Sequence, residues 1–161
     1  MAAVLEPGQE VPAVSVLDAD EQPVDLRALC AGGPLLISFY PFDWYDPARD
    51  HLRALRNRIE EIEAFGVRVV AISRDSPYSH ARYAQQQWLT YPLYSDWPGD
   101  AVRAFGVGET FEGMVDVPVR ACFLVDGAAV VRAAWQFAGE EPTDVDAVLA
   151  ACAQLGGERS D

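Results

Sequence analysis

The sequence predicts an α/β domain, a mixed central sheet with flanking helices and an N-terminal hairpin, and three observations carry that prediction. Leu35 to Tyr40 and Val67 to Ser73 are apolar runs of strand length, as expected of strands buried on both faces. Between them Leu52, Leu55, Ile59 and Ile62 recur three or four residues apart, so a helix joins the two strands into a right-handed parallel unit. Farther on, Asp126-Gly127 separates Val119–Val125 from Ala129–Trp135, a strong signal for two antiparallel strands joined by a tight turn.

In chain order, residues 8–29 read as a strand around Ala13 to Leu17, a turn at Asp18 to Glu21, a short return strand and one helical turn capped by Asp25. The glycines and proline of residues 30–34 make a loop into the central strand. Pro41 stops that strand, Asp43 and Asp46 suit a turn, and Pro47 fits a first helical position, where a missing N–H costs nothing. Ala48 then falls in the first helical turn on the core side, four residues before Leu52. The helix is expected to end near Phe65 with Gly66 as its C-cap. Ser76-Pro77 opens a helix reaching about Trp88, Tyr91–Tyr94 is a short strand, and a turn at residues 96–100 feeds a helix over Ala101–Phe105. Residues 106–118 lack apolar periodicity and read as a mobile surface loop. A last helix, Asp144–Leu155, is expected to be capped by Thr143 and stopped by Gly156-Gly157.

Residues 1–161 are therefore read as one domain, with its core in about 6–155 and a flexible tail at 156–161. Half of the residues are hydrophobic and 23% are charged, an ordinary globular composition. The net charge of −13 opposes phosphate backbones and anionic lipid, so neither nucleic acid nor a membrane surface is an expected partner. No apolar run is long enough to span a bilayer and the start lacks a secretory pattern, which makes cytoplasm the expected location. Cys30, Cys122 and Cys152 lie far apart, without the paired spacing of a disulfide framework or zinc site. Neither metal nor cofactor is expected.

The stretch FYPFDWYDPARDHL resembles the active-site segment of peroxiredoxins, the alkyl hydroperoxide reductase/thiol-specific antioxidant family with its redoxin domain. The family motif is Pro, three residues, Thr or Ser, two residues, then the peroxidatic Cys. On this sequence those positions are Pro41, Tyr45 and Ala48: the proline is kept, the small hydroxyl residue is a tyrosine, and the nucleophile is absent. SRDSPYSHARYAQQQWLTYPLYSDW and the following AFGV also resemble the family's Ser-x-Asp-Ser-Pro, His, Phe-Pro-Leu-x-Ser-Asp and aromatic-Gly-Val run. The likeness covers about residues 6–155 and is nearest to the short one-cysteine or bacterioferritin-comigratory type. It implies a thioredoxin-like sandwich.

In that family a thiolate at a helix N-terminus beside an Arg attacks the peroxide, while the Thr hydroxyl and backbone N–H groups hold the peroxide oxygens. The resemblance places that Arg at Arg120, in VPVRACFLVD. Because Ala48 has no atom with which to attack, ordinary thiol-peroxidase chemistry is not expected. Tyr45, Ala48 and Arg120 then line a former active site that binds a small anionic or carboxylate ligand, or a partner. Two alternatives stand beside this: an enzyme that reuses Arg120 and Tyr45 for other chemistry, and a residual thiol-dependent oxidoreductase acting through Cys122. Cys122 lies two residues after Arg120, on the same strand face and about 7 Å deeper. Cys30 lies on the order of 15–20 Å from position 48, at the other end of the central strand.

Plain structural roles also account for these residues: an ion pair for Arg120, packing for Tyr45, and solvated or locally bonded helix positions for His51 and His80. Deleting a thiolate beside Arg120 leaves positive potential that an anionic ligand, a water or one of the nearby acids, Asp43 or Asp46, must offset. The resemblance further implies a homodimer, with Trp44, Tyr78 and Phe105 as its contact aromatics.

Overall fold

The structure, a computed structural model, describes residues 3–159, the last two by their backbone alone. β1 (Ser15–Leu17) and β2 (Pro23–Asp25) form the N-terminal hairpin, whose turn closes on Asp18 Oδ1. Asp25 accepts from the Ala28 N–H and so caps α1 (Leu26–Leu29), as its position before an apolar residue predicts. The chain then enters β3 (Leu35–Phe39), buried throughout.

After β3 come α2 (Asp46–Asn57) and α3 (Ile59–Ala64), where periodicity alone predicts one continuous helix. Arg58 leaves helical backbone between them (φ −117°, ψ 16°), and its guanidinium binds both Glu61 and Asp146. The apolar stripe survives the break, which is why the spacing could not report it. Gly66 takes a left-handed φ of 79° beyond α3, the C-terminal role its position suggests. β4 (Arg68–Ser73), α4 (Pro77–Gln86), β5 (Leu93–Ser95) and α5 (Asp100–Phe105) follow, α4 being capped by Ser76. Gly106 ends α5 at φ 69°, and a Cβ there would run into the Ala3 carbonyl, so only glycine fits.

Residues 106–118 are not a mobile loop. They form a separate two-stranded ribbon, β6 (Gly108–Phe111) and β7 (Met114–Pro118), turned by Glu112 and Gly113, both at positive φ. Much of the ribbon faces solvent, so its sequence carries little apolar alternation. β8 (Arg120–Val125) and β9 (Val131–Phe137) are the antiparallel pair predicted around Asp126-Gly127. The last helix, α6 (Val145–Arg159), is entered through Asp144, whose carboxylate accepts from the Ala147 N–H at 3.1 Å; the cap is Asp144 and not Thr143. Gly156 and Gly157 do not stop α6, and the proposed tail is helical as far as Arg159. Leu155 is buried and Gly156 lies against Phe65, so packing carries the helix past two poor helix formers. Ser160 and Asp161 lie outside the described residues.

The main sheet has seven strands in the order β2-β1-β5-β4-β3-β8-β9, with β3, β4 and β5 parallel and the rest antiparallel to their neighbours. It is a thioredoxin-like sandwich. Strand alternation divides the core in two. Leu35, Ile37 and Phe39 face α5 residues such as Phe105, whereas Leu36 and Tyr40 face Ala48 and Leu52 of α2 together with Val148 and Cys152 of α6. Phe105 therefore belongs to the interior. Its ring lies 5.0 Å from Phe39 and 5.2 Å from Phe123 with no exposure, which removes it from any dimer contact; an aromatic pattern cannot tell a covered ring from an open one. Trp44 and Tyr78 are 53% and 75% exposed.

Candidate active site at the start of α2

The carboxyl ends of β3 and β4 and the start of β8 meet where α2 begins, so residues distant in sequence converge there. Tyr45 precedes α2 in extended conformation and its carbonyl accepts the Arg49 N–H at 2.9 Å. Its ring packs edge-on against Phe111, which in turn meets Phe42. The ribbon thus roofs a cavity of about 470 Å³ bordered by Pro41, Tyr45, Phe111, Arg120 and Phe137. Tyr45 lines this space and does not plug it. Ala48 is fully buried, in the cluster with Tyr40, Leu52 and Cys122, so position 48 belongs to the floor.

Arg120 begins β8 and is almost wholly buried. Its guanidinium donates to the Gly139 carbonyl at 2.9 Å, to the Glu141 carbonyl, and to Thr143 Oγ1 at 3.4 Å. These acceptors are uncharged, so the contacts holding the side chain are not the ion pair considered from sequence. Burial draws its pKa below the ordinary Arg value, opposed by the Glu141 carboxylate. Asp43 turns away from this arginine, and Asp46 stands at the rim 3.2 Å from Arg49.

His51 is not a solvated helix residue. It shares the apolar stripe of α2 with Ala48, Leu52 and Leu55, and its two ring nitrogens lie 2.5 Å from Ser38 Oγ and 2.6 Å from Thr143 Oγ1. Desolvation, reinforced by the Arg120 charge, lowers its pKa from 6.5 to about 3, so the ring is neutral at neutral pH. His51, Thr143 and Arg120 border a second cavity of about 400 Å³, whose rim carries Asp46, Asp50, Glu140 and Glu141. Cys122 lies beneath, paired across the sheet with Ser38, and its Sγ–H donates to Ser38 Oγ at 3.7 Å. Burial pushes this thiol up to about 12.

The match to the AhpC/TSA family spans residues 7–134. The chain belongs to that family. It is 32% identical over 131 residues to Alkyl hydroperoxide reductase E of Mycobacterium tuberculosis, an alignment covering 80% of this chain and 84% of that protein. With chloroplastic Peroxiredoxin Q of Populus jackii it shares 29% identity over 144 residues, 88% of this chain and 66% of the other. Among solved structures, a bacterioferritin comigratory protein of Xanthomonas campestris, described for its alkyl peroxide reduction activity, superposes with a TM-score of 0.77. That pair is 28% identical, with 96% and 99% of the two chains covered. The peroxidoxin BcpB of Mycobacterium tuberculosis has a TM-score of 0.84 at 24% identity, covering 94% of this chain and 98% of that one, a likeness of fold.

Within this peroxiredoxin-like fold all three cysteines are retained as buried thiols. Among the described residues no group of His, Cys, Asp and Glu is arranged to hold a metal ion, and no helix is long and apolar enough to cross a membrane. The structure also gathers residues that sequence reasoning left apart. Ser38 is the one polar residue inside β3, and a buried hydroxyl needs a partner, so it was a readable sign. His51 carried a second sign, its place in the apolar stripe. Thr143 gave none, because its role depends on where the loop before α6 returns.

A second buried polar group ties the loop before α2 to α4. Asp43 accepts from Tyr40 Oη at 2.7 Å, from Ser79 Oγ at 2.7 Å and from His80 Nδ1 at 2.8 Å. His80 is therefore also buried and bonded to distant residues, unlike the solvated helix position expected of it. Asp75, which accepts from the Asp43 N–H and from Ser73 Oγ, has its pKa raised by desolvation and then by the Asp43 charge.

Proposed function

We propose that the chain has given up attack from position 48 and keeps a slow, thiol-dependent reduction of hydroperoxides through Cys122. The observation that carries this is the position of Cys122, on the same sheet face as Arg120 and in the buried cluster that contains Ala48. The family and the alkyl hydroperoxide reductase among its relatives support the same chemistry. In the reaction, Cys122 sulfur bonds to one peroxide oxygen as the O–O bond breaks, giving a sulfenic acid and, once the departing oxygen takes a proton, an alcohol. Two equivalents of an external thiol then return the sulfenic acid to thiol, releasing water and a disulfide. Both the closed position of the sulfur and its raised pKa keep the rate low. The test is peroxide consumption with dithiothreitol by wild type and Cys122→Ser. A rate above that of the variant is expected, and equal rates would remove the proposal.

A second reading concerns ligand binding, and the uncharged partners of Arg120 favour it. With no carboxylate among those hydrogen-bond partners, the guanidinium is left to attract a small carboxylate or other anion into the cavity shared with Tyr45. Calorimetric titration with acetate and phosphate, comparing wild type with Arg120→Met, checks this; identical heats would exclude it.

A further inference from the structure

Five polar groups stand in line between the sheet and the second cavity. Cys122 Sγ donates to Ser38 Oγ at 3.7 Å, Ser38 Oγ lies 2.5 Å from His51 Nε2, His51 Nδ1 lies 2.6 Å from Thr143 Oγ1, and Arg120 Nη1 points at that same hydroxyl from 3.4 Å. We propose that Ser38, His51 and Thr143 form a proton wire joining the Cys122 thiol to the acid-rimmed cavity beside α2.

The backbone sets the inner end. Ser38 and Cys122 are direct partners in the antiparallel β3–β8 pair, and alternation turns both side chains to the α2 face. Helix α2 sets the middle, since His51 lies one turn beyond Ala48 on the packed face. The chain end of β9 and the loop before α6 set the outer end, where Thr143 is partly open and borders the cavity together with Asp50 and Glu141.

Each link can both give and accept a proton. A hydroxyl does so by rotation, and a neutral imidazole carries one N–H and one lone pair. An imidazolium would break the line by presenting two donors; desolvation and the Arg120 charge hold His51 neutral. The step balances without any oxidant. The Cys122 S–H proton passes to Ser38 Oγ while the Ser38 proton passes to His51 Nε2. The His51 Nδ1 proton passes to Thr143 Oγ1, whose own proton leaves to cavity water. The products are a thiolate on Cys122, the other tautomer of a neutral His51 and one proton outside. The wire supplies a path and leaves the high pKa of the thiol unchanged.

Cys30 provides the contrast. Its Sγ–H donates to the Leu26 carbonyl at 3.2 Å, an acceptor that cannot relay a proton. The wire rests on the thiol reading above for its use, but its existence is tested separately.

The experiment follows S–H to S–D exchange of Cys122 by infrared absorption in D2O, with the Cys122 band identified by subtraction of the Cys122→Ser spectrum. Thr143→Val keeps the shape and removes the hydroxyl; exchange at least about tenfold slower is expected, with recovery in Thr143→Ser. His51→Leu is expected to behave as Thr143→Val does. If His51→Leu does not fold, the partly exposed Thr143 pair alone decides the matter. Backbone amide exchange in β3 and β8 is measured alongside. An S–H exchange rate that equals those amide rates in wild type, or is the same in wild type and Thr143→Val, would overturn the wire. Peroxide oxidation of Cys122 is read separately by mass spectrometry. Its absence, with the Thr143→Val effect intact, would sink the reductase reading and leave the wire standing.

Discussion

Asp43 Oδ2 sits 2.8 Å from His80 Nδ1, and neither side chain has appreciable contact with solvent. The other ring nitrogen faces the Tyr94 carbonyl at 3.1 Å. Tyr40 Oη and Ser73 Oγ also approach the two ring nitrogens, at 3.3 and 3.5 Å, so Asp43 and His80 sit in one buried hydrogen-bond network whose members depend on one another. Asp43→Asn is expected to destabilise the fold by about 1–3 kcal/mol, because an amide nitrogen replaces one of the two oxygens that accept from Tyr40, Ser79 and His80 and leaves a buried donor unsatisfied. His80→Gln added to it is expected to recover part of that loss. Urea denaturation of the two single variants and the double variant checks the coupling, and additive losses would show that the two residues do not act as a pair.

His51 gives stability a particular acid dependence. Its pKa falls from 6.5 to about 3 on folding, so between those values the unfolded chain binds more protons and stability rises with pH. The contribution of His51 is complete above its unfolded pKa and is lost as pH falls toward its folded one, at a slope of up to about 1.4 kcal/mol per pH unit. His51→Gln is expected to flatten the acid limb of a stability profile by about that slope. A limb of unchanged steepness would mean that the ring is protonated within the fold.

Phe105→Ala is expected to cost about 3–5 kcal/mol, the usual price of a large cavity between packed aromatic rings. It is expected to leave self-association untouched, since the ring lies inside the domain. If the chain pairs with a second copy, Trp44 and Tyr78 are the proposed anchors, and sedimentation of Trp44→Ala/Tyr78→Ala should show the assembly weakened. A monomeric wild type at tens of micromolar would end that proposal.

The β6–β7 ribbon makes no ladder with the main sheet, and two strands alone are marginal in water. Phe111 connects it to the body through Phe42 and Tyr45. Phe111→Ala is expected to speed amide exchange within β6 and β7 while exchange in β3 and β8 stays as before. Equal acceleration in all four strands would indicate that the ribbon opens only with the whole domain.

What the sequence revealed and concealed follows from the range of the interactions. Leu35–Phe39, the α2 stripe, the Asp25 and Ser76 caps and the turn at Asp126-Gly127 each rest on contacts within a few residues, and they stand as read. The break at Arg58, the extension of α6 past Gly156 and the burial of Phe105 depend on partners far along the chain. The same division holds at the site. Pro41, Tyr45 and Ala48 could be placed by the spacing of the family motif and Arg120 by the likeness of VPVRACFLVD to the family, and the structure brings Pro41, Tyr45 and Arg120 to one cavity above Ala48. The line from Cys122 to Thr143 could not be placed, because it joins two strands, a helix and a loop that only folding brings together.

The pairing of Ser38 with Cys122 separates two properties that a helix-start nucleophile must combine. At the mouth of a cavity, a reactive group meets whatever fits through the opening. In mid-sheet it is screened by size, because a proton can traverse a row of hydroxyls and imidazole while a bulky molecule is held back by closely packed side chains. A thiol stationed there would discriminate against large oxidants without any pocket shaped for a small one.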